Sequence, residues 1–289
     1  MSQTKIQQDS IPILKTTKSR KPKIRFYVQT FFFFLVALIT LNKALSEVGL
    51  SIPYISNGSL HAICPFGGVA SLYKFATVGT FVQKIHESSF VLMVIAFLLA
   101  ILFGPVICSW VCPFGTFQEW LSRIGRKLFG KRFNHLIPAK VDSILRYLRY
   151  VVLFLVLYLT FTSTKLIFQD VDPYYALFQF WSDEVAVSAF IILGVTILMS
   201  LVIDRPWCKY ACPYGAVLGI FNLFRIFKIR RATSSCTDCK LCDRSCPMNI
   251  TVSSRKAVLN HQCISCLSCT SENSCPMSDT VEFSTKGGK

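Results

Sequence analysis

Four apolar stretches, residues 26–44, 90–107, 148–161 and 185–203, restrict what this chain can become. A helix that crosses about 30 Å of hydrocarbon needs about 20 mostly apolar residues. Each stretch approaches that length, the third when the polar residues 162–164 are added, although Tyr150, Tyr158 and those threonines blur its ends. In a 289-residue chain with 52% hydrophobic residues and a mean hydropathy of +0.48, this pattern predicts a bilayer protein rather than one soluble core.

The distribution of charge predicts an orientation. Lys15, Lys18, Arg20, Lys21, Lys23 and Arg25 precede the first stretch. Arg123, Arg126, Lys127, Lys131, Arg132, Lys140, Arg146 and Arg149 separate the second from the third, and Arg225, Lys228, Arg230 and Arg231 follow the fourth. The other two loops are poor in Lys and Arg, and the later one carries Asp170, Asp172, Asp183 and Glu184. The positive-inside rule then places both termini and the middle loop in the cytoplasm of a multi-pass inner-membrane protein. The formal net charge of +16 reads as this topology signal, and no nucleic-acid partner is expected. The segment at residues 123–140 can also serve an acidic partner or anionic lipid, but topology already accounts for its charge. The first stretch starts too far into the chain for a secretory signal and reads as a retained anchor. The segment ending at Cys64 has bulky Ile63 where a lipoprotein cleavage box needs a small residue, so that reading is rejected.

The polar C-terminal part carries Cys236, Cys239, Cys242 and Cys246 followed by Pro247, spelling CxxCxxCxxxCP, the spacing that holds a [4Fe-4S] cubane in bacterial ferredoxins. Cys263, Cys266, Cys269 and Cys275, followed by Pro276, repeat it with five rather than three residues before the last cysteine. Eight thiolates predict two clusters. In two-cluster ferredoxins the fourth cysteine of each run serves the other cluster, which groups Cys236, Cys239, Cys242 and Cys275, and separately Cys263, Cys266, Cys269 and Cys246. A zinc ribbon uses paired CxxC motifs, but it has no use for a tight CxxCxxC triplet. The reducing cytoplasm favours thiolate ligands over disulfides.

A second repeat sits at the ends of two apolar stretches: Cys108-Ser-Trp-Val-Cys112-Pro-Phe-Gly and Cys208-Lys-Tyr-Ala-Cys212-Pro-Tyr-Gly. Each runs into an expected amphipathic segment, residues 116–128 or 216–227. Cysteines four apart share one face of a helical turn, and the proline suits the start of the next helix. If the second and fourth spans are neighbours, Cys108, Cys112, Cys208 and Cys212 make a four-thiolate site for a third cluster. The alternatives are buried, unreactive cysteines or a local redox pair. Cys64, in a partial copy with one cysteine, reads as packed.

Four spans, two CxxxCP motifs and a terminal pair of ferredoxin runs resemble the NapH/NosR-type membrane iron-sulfur proteins, polyferredoxin-like quinol dehydrogenase subunits, over nearly all the chain after residue 25. The resemblance implies an α-helical integral membrane protein with a small α+β ferredoxin-like domain at the C-terminus. Its expected divisions are a basic segment at 1–25, a transmembrane domain at 26–232 and a 2[4Fe-4S] domain at 233–289. It also implies electron transfer between the quinone pool and a redox partner protein. Larger members carry an extracytoplasmic flavin domain for which these loops have no room, so no flavin is expected. Alternatives are a membrane ferredoxin that reduces a metal ion for cofactor assembly, and a redox sensor, for which no output domain is visible. His61, His86 and Glu87 are candidates for handling quinol protons. They read more readily as polar residues flanking a span, as Tyr73 and Trp181 read as interfacial anchors. Trp110 and Trp207, beside the cysteine motifs, read as cluster-edge packing or headgroup residues.

Overall fold

The computed structural model describes residues 21–47, 87–134, 136–163, 167–182, 185–277 and 280–285. Cys64, His61, His86 and Tyr73 lie outside the described residues, as does the side chain of Glu87.

The chain is mostly helical. A 27-residue helix α1 (Lys21–Glu47) comes first, and α2 (Glu87–Phe103) stops where Gly104 takes φ +83°. A side chain cannot replace that hydrogen, since a Cβ there would lie 2.5 Å from Ser265 Oγ. The last carbonyls of α2 are not left bare, because Ile226 N and Phe227 N donate to Ile101 O and Leu102 O at 2.9 Å. After short α3 (Val106–Trp110) come α4 (Pro113–Phe129), α5 (Ala139–Leu145) and α6 (Leu148–Ser163). The second half of the helical region contains α7 (Pro173–Phe178), α8 (Val187–Ser200), short α9 (Pro206–Tyr210) and α10 (Pro213–Phe221).

Two of these segments, Ile24–Ser46 and Lys140–Thr160, are long and apolar enough to cross a membrane, by length and composition alone. The other two expected spans are shorter than the sequence suggested: α2 has 17 residues and α8 has 14. At ~1.5 Å per residue these reach ~26 and ~21 Å. All four nonetheless expose one apolar stripe at helical spacing: Phe31, Phe34, Leu38 and Leu41; Val91, Ile95, Leu98 and Leu102; Val151, Phe154, Leu155 and Tyr158; Val187, Ile191, Val195 and Leu198.

The two repeats meet in a crossed arrangement. Helix α2 packs on α10, and α8 packs on α4, so each repeat lays its span against the other repeat's helix. Flanking them, α1 packs on α4 and α6 on α10. The α4–α8 approach is close: a Cβ on Gly125 would lie 2.0 Å from Leu201 O. Gly125→Ala is therefore expected to separate the two helices and destabilise the protein by about 1–3 kcal/mol, read as a lower thermal transition in detergent. The expected amphipathic stretch at 216–227 is also corrected. Helix α10 is apolar throughout, turns through Asn222–Phe224, and gives way to a strand at Lys228.

The terminal unit is built on a three-stranded antiparallel sheet of order β2-β1-β3: β1 (Lys228–Arg231), β2 (Ala257–Val258) and β3 (Val281–Ser284), with α11 (Leu241–Arg244) between β1 and β2. Ile229 faces both Val258 and Phe283 across the ladder. Its central strand lies N-terminal to residue 233 and follows α10 almost directly, joining sheet to helices. Phe283 and Phe227 stack with centroids 5.7 Å apart, and Phe227 meets Phe103 at 5.0 Å.

Candidate iron-sulfur centres

The two CxxxCP segments fold alike. Cys112 N donates to Ile107 O at 2.8 Å and Cys212 N to Trp207 O at 2.9 Å, closing equivalent turns after α3 and α9. Both second cysteines are then N-caps in extended conformation, at φ/ψ −60/114° and −68/113°, with proline opening α4 and α10. A thiol at this position faces the free N–H groups of a helix start, which favour negative charge. Gly215 N donates to Cys212 Sγ at 3.3 Å, and the Gly115 and Phe114 amides face Cys112.

Crossed packing brings the two turns together. Cys108 feels the charges of Cys112 and Cys208, and Cys212 those of Cys208, Cys108 and Cys112. Burial pushes the Cys208 thiol up to about 11 against the pull of Arg205, so metal binding there must displace protons.

A charged network braces this group. Arg205, in left-handed backbone at φ +49°, is buried and donates to Cys108 O at 2.6 Å and to Glu119 Oε2 at 2.7 Å. Arg25 donates to the same oxygen at 2.5 Å, and Gln29 reaches both it and Ser109 O. Gln118 accepts from Trp207 N at 3.1 Å and donates to Cys208 Sγ at 3.4 Å, tying α4 to the second motif. Burial alone raises the pKa of Glu119, but Arg205 and Arg25 outweigh it and bring it to about 2. A carboxylate depressed this way contributes stability that is present above its ordinary value of 4.5 and lost as pH falls toward 2. The contribution is about 3 kcal/mol at most. Acid loss of the folded state between those values is expected to be shallower in Glu119→Gln than in the parent, followed by circular dichroism.

In the terminal unit the two cysteine runs also match in backbone. Asp238 and Lys240 flank Cys239 with φ of 49° and 55°, and Ser265 and Leu267 flank Cys266 with 50° and 56°. Four non-glycine residues in the left-handed region carry a conformational cost that binding loops characteristically store. Cys246, Cys263, Cys266 and Cys269 line one cavity, whose remaining walls are the apolar side chains of Ile229, Met248, Ile250, Val252, Val258 and Ile264. Cys275 lies instead within electrostatic reach of Cys236, Cys239 and Cys242. The five-residue spacer before it folds into a turn, with Ser274 N and Cys275 N both donating to Ser271 O. Cys263 and Cys269 are buried in one group; in the other Cys242 is buried and Cys239 exposed.

The fit to cubane clusters follows from this donor set. Among the described residues no three His, Cys, Asp or Glu side chains converge tightly enough for a single ion. Thiolates on a cubane serve four different irons and stand further apart than ligands of one zinc. The cavity offers four thiols and an otherwise apolar wall, an environment suited to a cluster and poor for water.

Other residues escaped the sequence reading. Arg149, Arg205, Arg225 and Lys209 are the largest fully buried side chains. Two of them, Arg149 and Arg225, belong to the basic flanks that carry the topology signal, which gives no sign of their burial. Lys209 pairs with Asp142 at 2.7 Å, and Tyr210 OH donates to the same carboxylate at 2.5 Å. In the basic middle segment Arg126, itself half-exposed, pairs with buried Asp204 at 2.7 Å, and Asn134 donates to Asn249 Oδ1 at 2.7 Å. The available signal was position: Lys209 lies inside the second cysteine motif and Arg205 three residues before it. Trp110 Nε1 donates to Ser265 O at 3.4 Å, and Trp207 packs beside the core of Phe114, Tyr175 and Phe178. Trp181 is 40% exposed.

The family described as "4Fe-4S binding domain" matches residues 85–132 and 185–231, which are the two CxxxCP repeats rather than the terminal runs. The chain is 31% identical over 233 residues to YccM of Escherichia coli, a protein named for electron transport, covering 78% of this chain and 64% of that one. It is 32% identical over 222 residues to an uncharacterized protein of Methanocaldococcus jannaschii, covering 77% and 86%. To ferredoxin-type protein NapH of Haemophilus influenzae it is 30% identical over 187 residues, covering 61% and 62%. Regulatory protein NosR of Pseudomonas aeruginosa matches 57% of this chain over 23% of its own length, at 30% identity. No solved structure matches. With both halves falling in a 4Fe-4S family and relatives of these kinds along most of its length, the chain belongs to the NapH/NosR-type iron-sulfur proteins.

Proposed function

We propose that this protein carries electrons between the membrane quinone pool and a redox partner protein through three [4Fe-4S] clusters. In this reading Cys108, Cys112, Cys208 and Cys212 hold the first. Cys246, Cys263, Cys266 and Cys269 hold the second, and Cys236, Cys239, Cys242 and Cys275 the third. Each cluster supplies one-electron redox chemistry when bound. The carrying observation is the double membership of Cys108. It stands with Cys112, Cys208 and Cys212, and it also packs against the terminal core that contains Cys263 and Cys269. The cysteine groups therefore form an unbroken series.

The series has a direction in space. The Cys263 segment is bonded to the helical region through Asn222 and Trp110, while Cys239 of the other group faces solvent. The order is quinone pool, membrane cysteines, Cys263 group, Cys236 group, partner, or its reverse. The four exposed apolar stripes support a multi-pass membrane protein of four spans, with α2 and α8 short enough to require local thinning of the bilayer. The basic flanks support cytoplasmic termini, and the exposed Cys236 group then meets a cytoplasmic partner. Protons leaving a quinol are assigned to no described residue.

Anaerobic purification with iron and sulfide analysis, followed by EPR during quinol titration, tests the proposal. The expected result is about twelve irons per chain, from three four-iron clusters, and quinol-dependent signals. A fully loaded protein that exchanges no electrons with any quinol or quinone would overturn the quinone link. The name of NosR favours a second reading, a regulatory one. Its match covers only 23% of that protein, so the regulatory function of the whole is not carried over to this chain.

A further inference from the structure

Arg225 is 1% exposed, and its Nη1 donates to Cys263 Sγ at 3.4 Å and to Ser265 Oγ at 3.0 Å, while Nη2 donates to Val258 O. Each cysteine group has an arginine beside it, but the charge balance differs. Arg205, at the membrane cysteines, is matched by Glu119 at 2.7 Å, and Arg231, beside Cys236, by Asp238 at 3.1 Å. Among the described residues no carboxylate forms an ion pair with Arg225. A buried cation without a counter-charge is costly, so the site calls for an anion where the four thiols stand.

We infer that Arg225 is a positioning residue that sets the electron affinity of the group formed by Cys246, Cys263, Cys266 and Cys269. The inference rests on the proposed reading that these four hold a cluster. A thiolate-ligated cubane becomes more negative by one charge on reduction. A fixed guanidinium at one of its sulfurs favours that reduced form by Coulomb attraction at low dielectric and by hydrogen bonding, two of the known controls on such potentials. Removing the cation must lower the midpoint of that group and leave the others in place. Asn222 keeps the arrangement rigid, since its Nδ2 donates to Asn260 O at 2.7 Å and to Cys263 O at 2.9 Å.

The test is a redox titration of the purified full-length protein followed by EPR, comparing the parent with Arg225→Gln and Arg225→Lys. The signal of interest is identified by its loss in Cys266→Ser. Arg225→Gln is expected to shift that midpoint downward with unchanged iron and sulfide content and no movement of the other signals. Arg225→Lys keeps the charge but not the planar fork, and a smaller downward shift is expected. An unmoved midpoint at full iron content in Arg225→Gln overturns the inference; if that variant loses the cluster, Arg225→Met, which keeps the aliphatic stem without the charge, decides by the same criterion. Full iron in Cys266→Ser would instead overturn the cluster assignment on which it rests.

Discussion

Cys212→Ser in the intact protein is expected to bring quinol-dependent reduction of the terminal cysteine groups down to the background rate, while dithionite still reduces them. Cys212 is the cap of α10, receives Gly215 N at 3.3 Å, and stands with Cys108, Cys112 and Cys208 where the two repeats cross. A serine oxygen is a poor substitute for a soft thiolate on iron, so the first station of the series is lost. Dithionite, being water-soluble, reaches the exposed Cys236 group directly and bypasses that station. Stopped-flow absorbance with each reductant separates the two routes. Undiminished quinol-driven reduction at the original rate would place the membrane cysteines off the electron path.

The second large effect is expected from Glu119→Ala. That carboxylate accepts from both Arg205 and Arg25, and Arg205 is buried to 1%. Removing one partner of a buried ion pair leaves the other charge without compensation, a change that costs about 3–5 kcal/mol. Because Arg205 also holds Cys108 O, loss of stability is expected to appear together with loss of iron from the membrane cysteines. Glu119→Gln, which can still accept from Arg205, is expected to lose less. Thermal unfolding in detergent and iron content per chain measure both. An alanine variant as stable and iron-rich as its parent would show that the Arg205 charge is balanced by another group.

What the sequence made legible was chemistry carried by local spacing. A thiol four residues from another with proline behind it implies a turn followed by a helix start, and Cys108 to Pro113 and Cys208 to Pro213 have that form. The apolar stretches that became α1 and α6 were legible because hydrophobicity is likewise local. Long-range packing was not. No pattern within α2 or α8 announces that each will lie on the other repeat's helix. The ends of α2 and α10 were misplaced because hydrophobicity continues past Phe103 and Phe221, where Gly104 and the turn at Asn222–Phe224 redirect the backbone. Burial of the arginines was not legible because a cation's partner, when it is a thiol or a distant carboxylate, leaves no mark beside it in the chain. The left-handed residues around Cys239 and Cys266 belong to the same class, since aspartate, lysine, serine and leucine do not signal positive φ as glycine does.

The terminal unit is also more deeply joined to the helices than its composition suggested. Arg149 donates to His261 O at 2.8 Å, Gln262 Nε2 to Lys209 O at 3.3 Å, and Asn134 and Asn249 bond reciprocally. Cutting the chain near residue 232 would strand these groups, so single-cysteine variants of the whole protein are the informative experiments.

The crossing of the repeats bears on how such a chain can arise and fail. Each half contributes two of the four cysteines and one docking helix, and neither half alone brings four cysteines together. A polypeptide with a single CxxxCP unit of this type could complete the pocket only by pairing with a second copy about a two-fold axis. In one chain that pairing is intramolecular, and the halves can differ in detail so long as they still clasp, as they do at Phe114 and Tyr214 or Ser109 and Lys209. The proposed cluster site of the membrane cysteines is in this sense the seam between the two halves. Damage to either half is expected to empty the whole pocket rather than half of it.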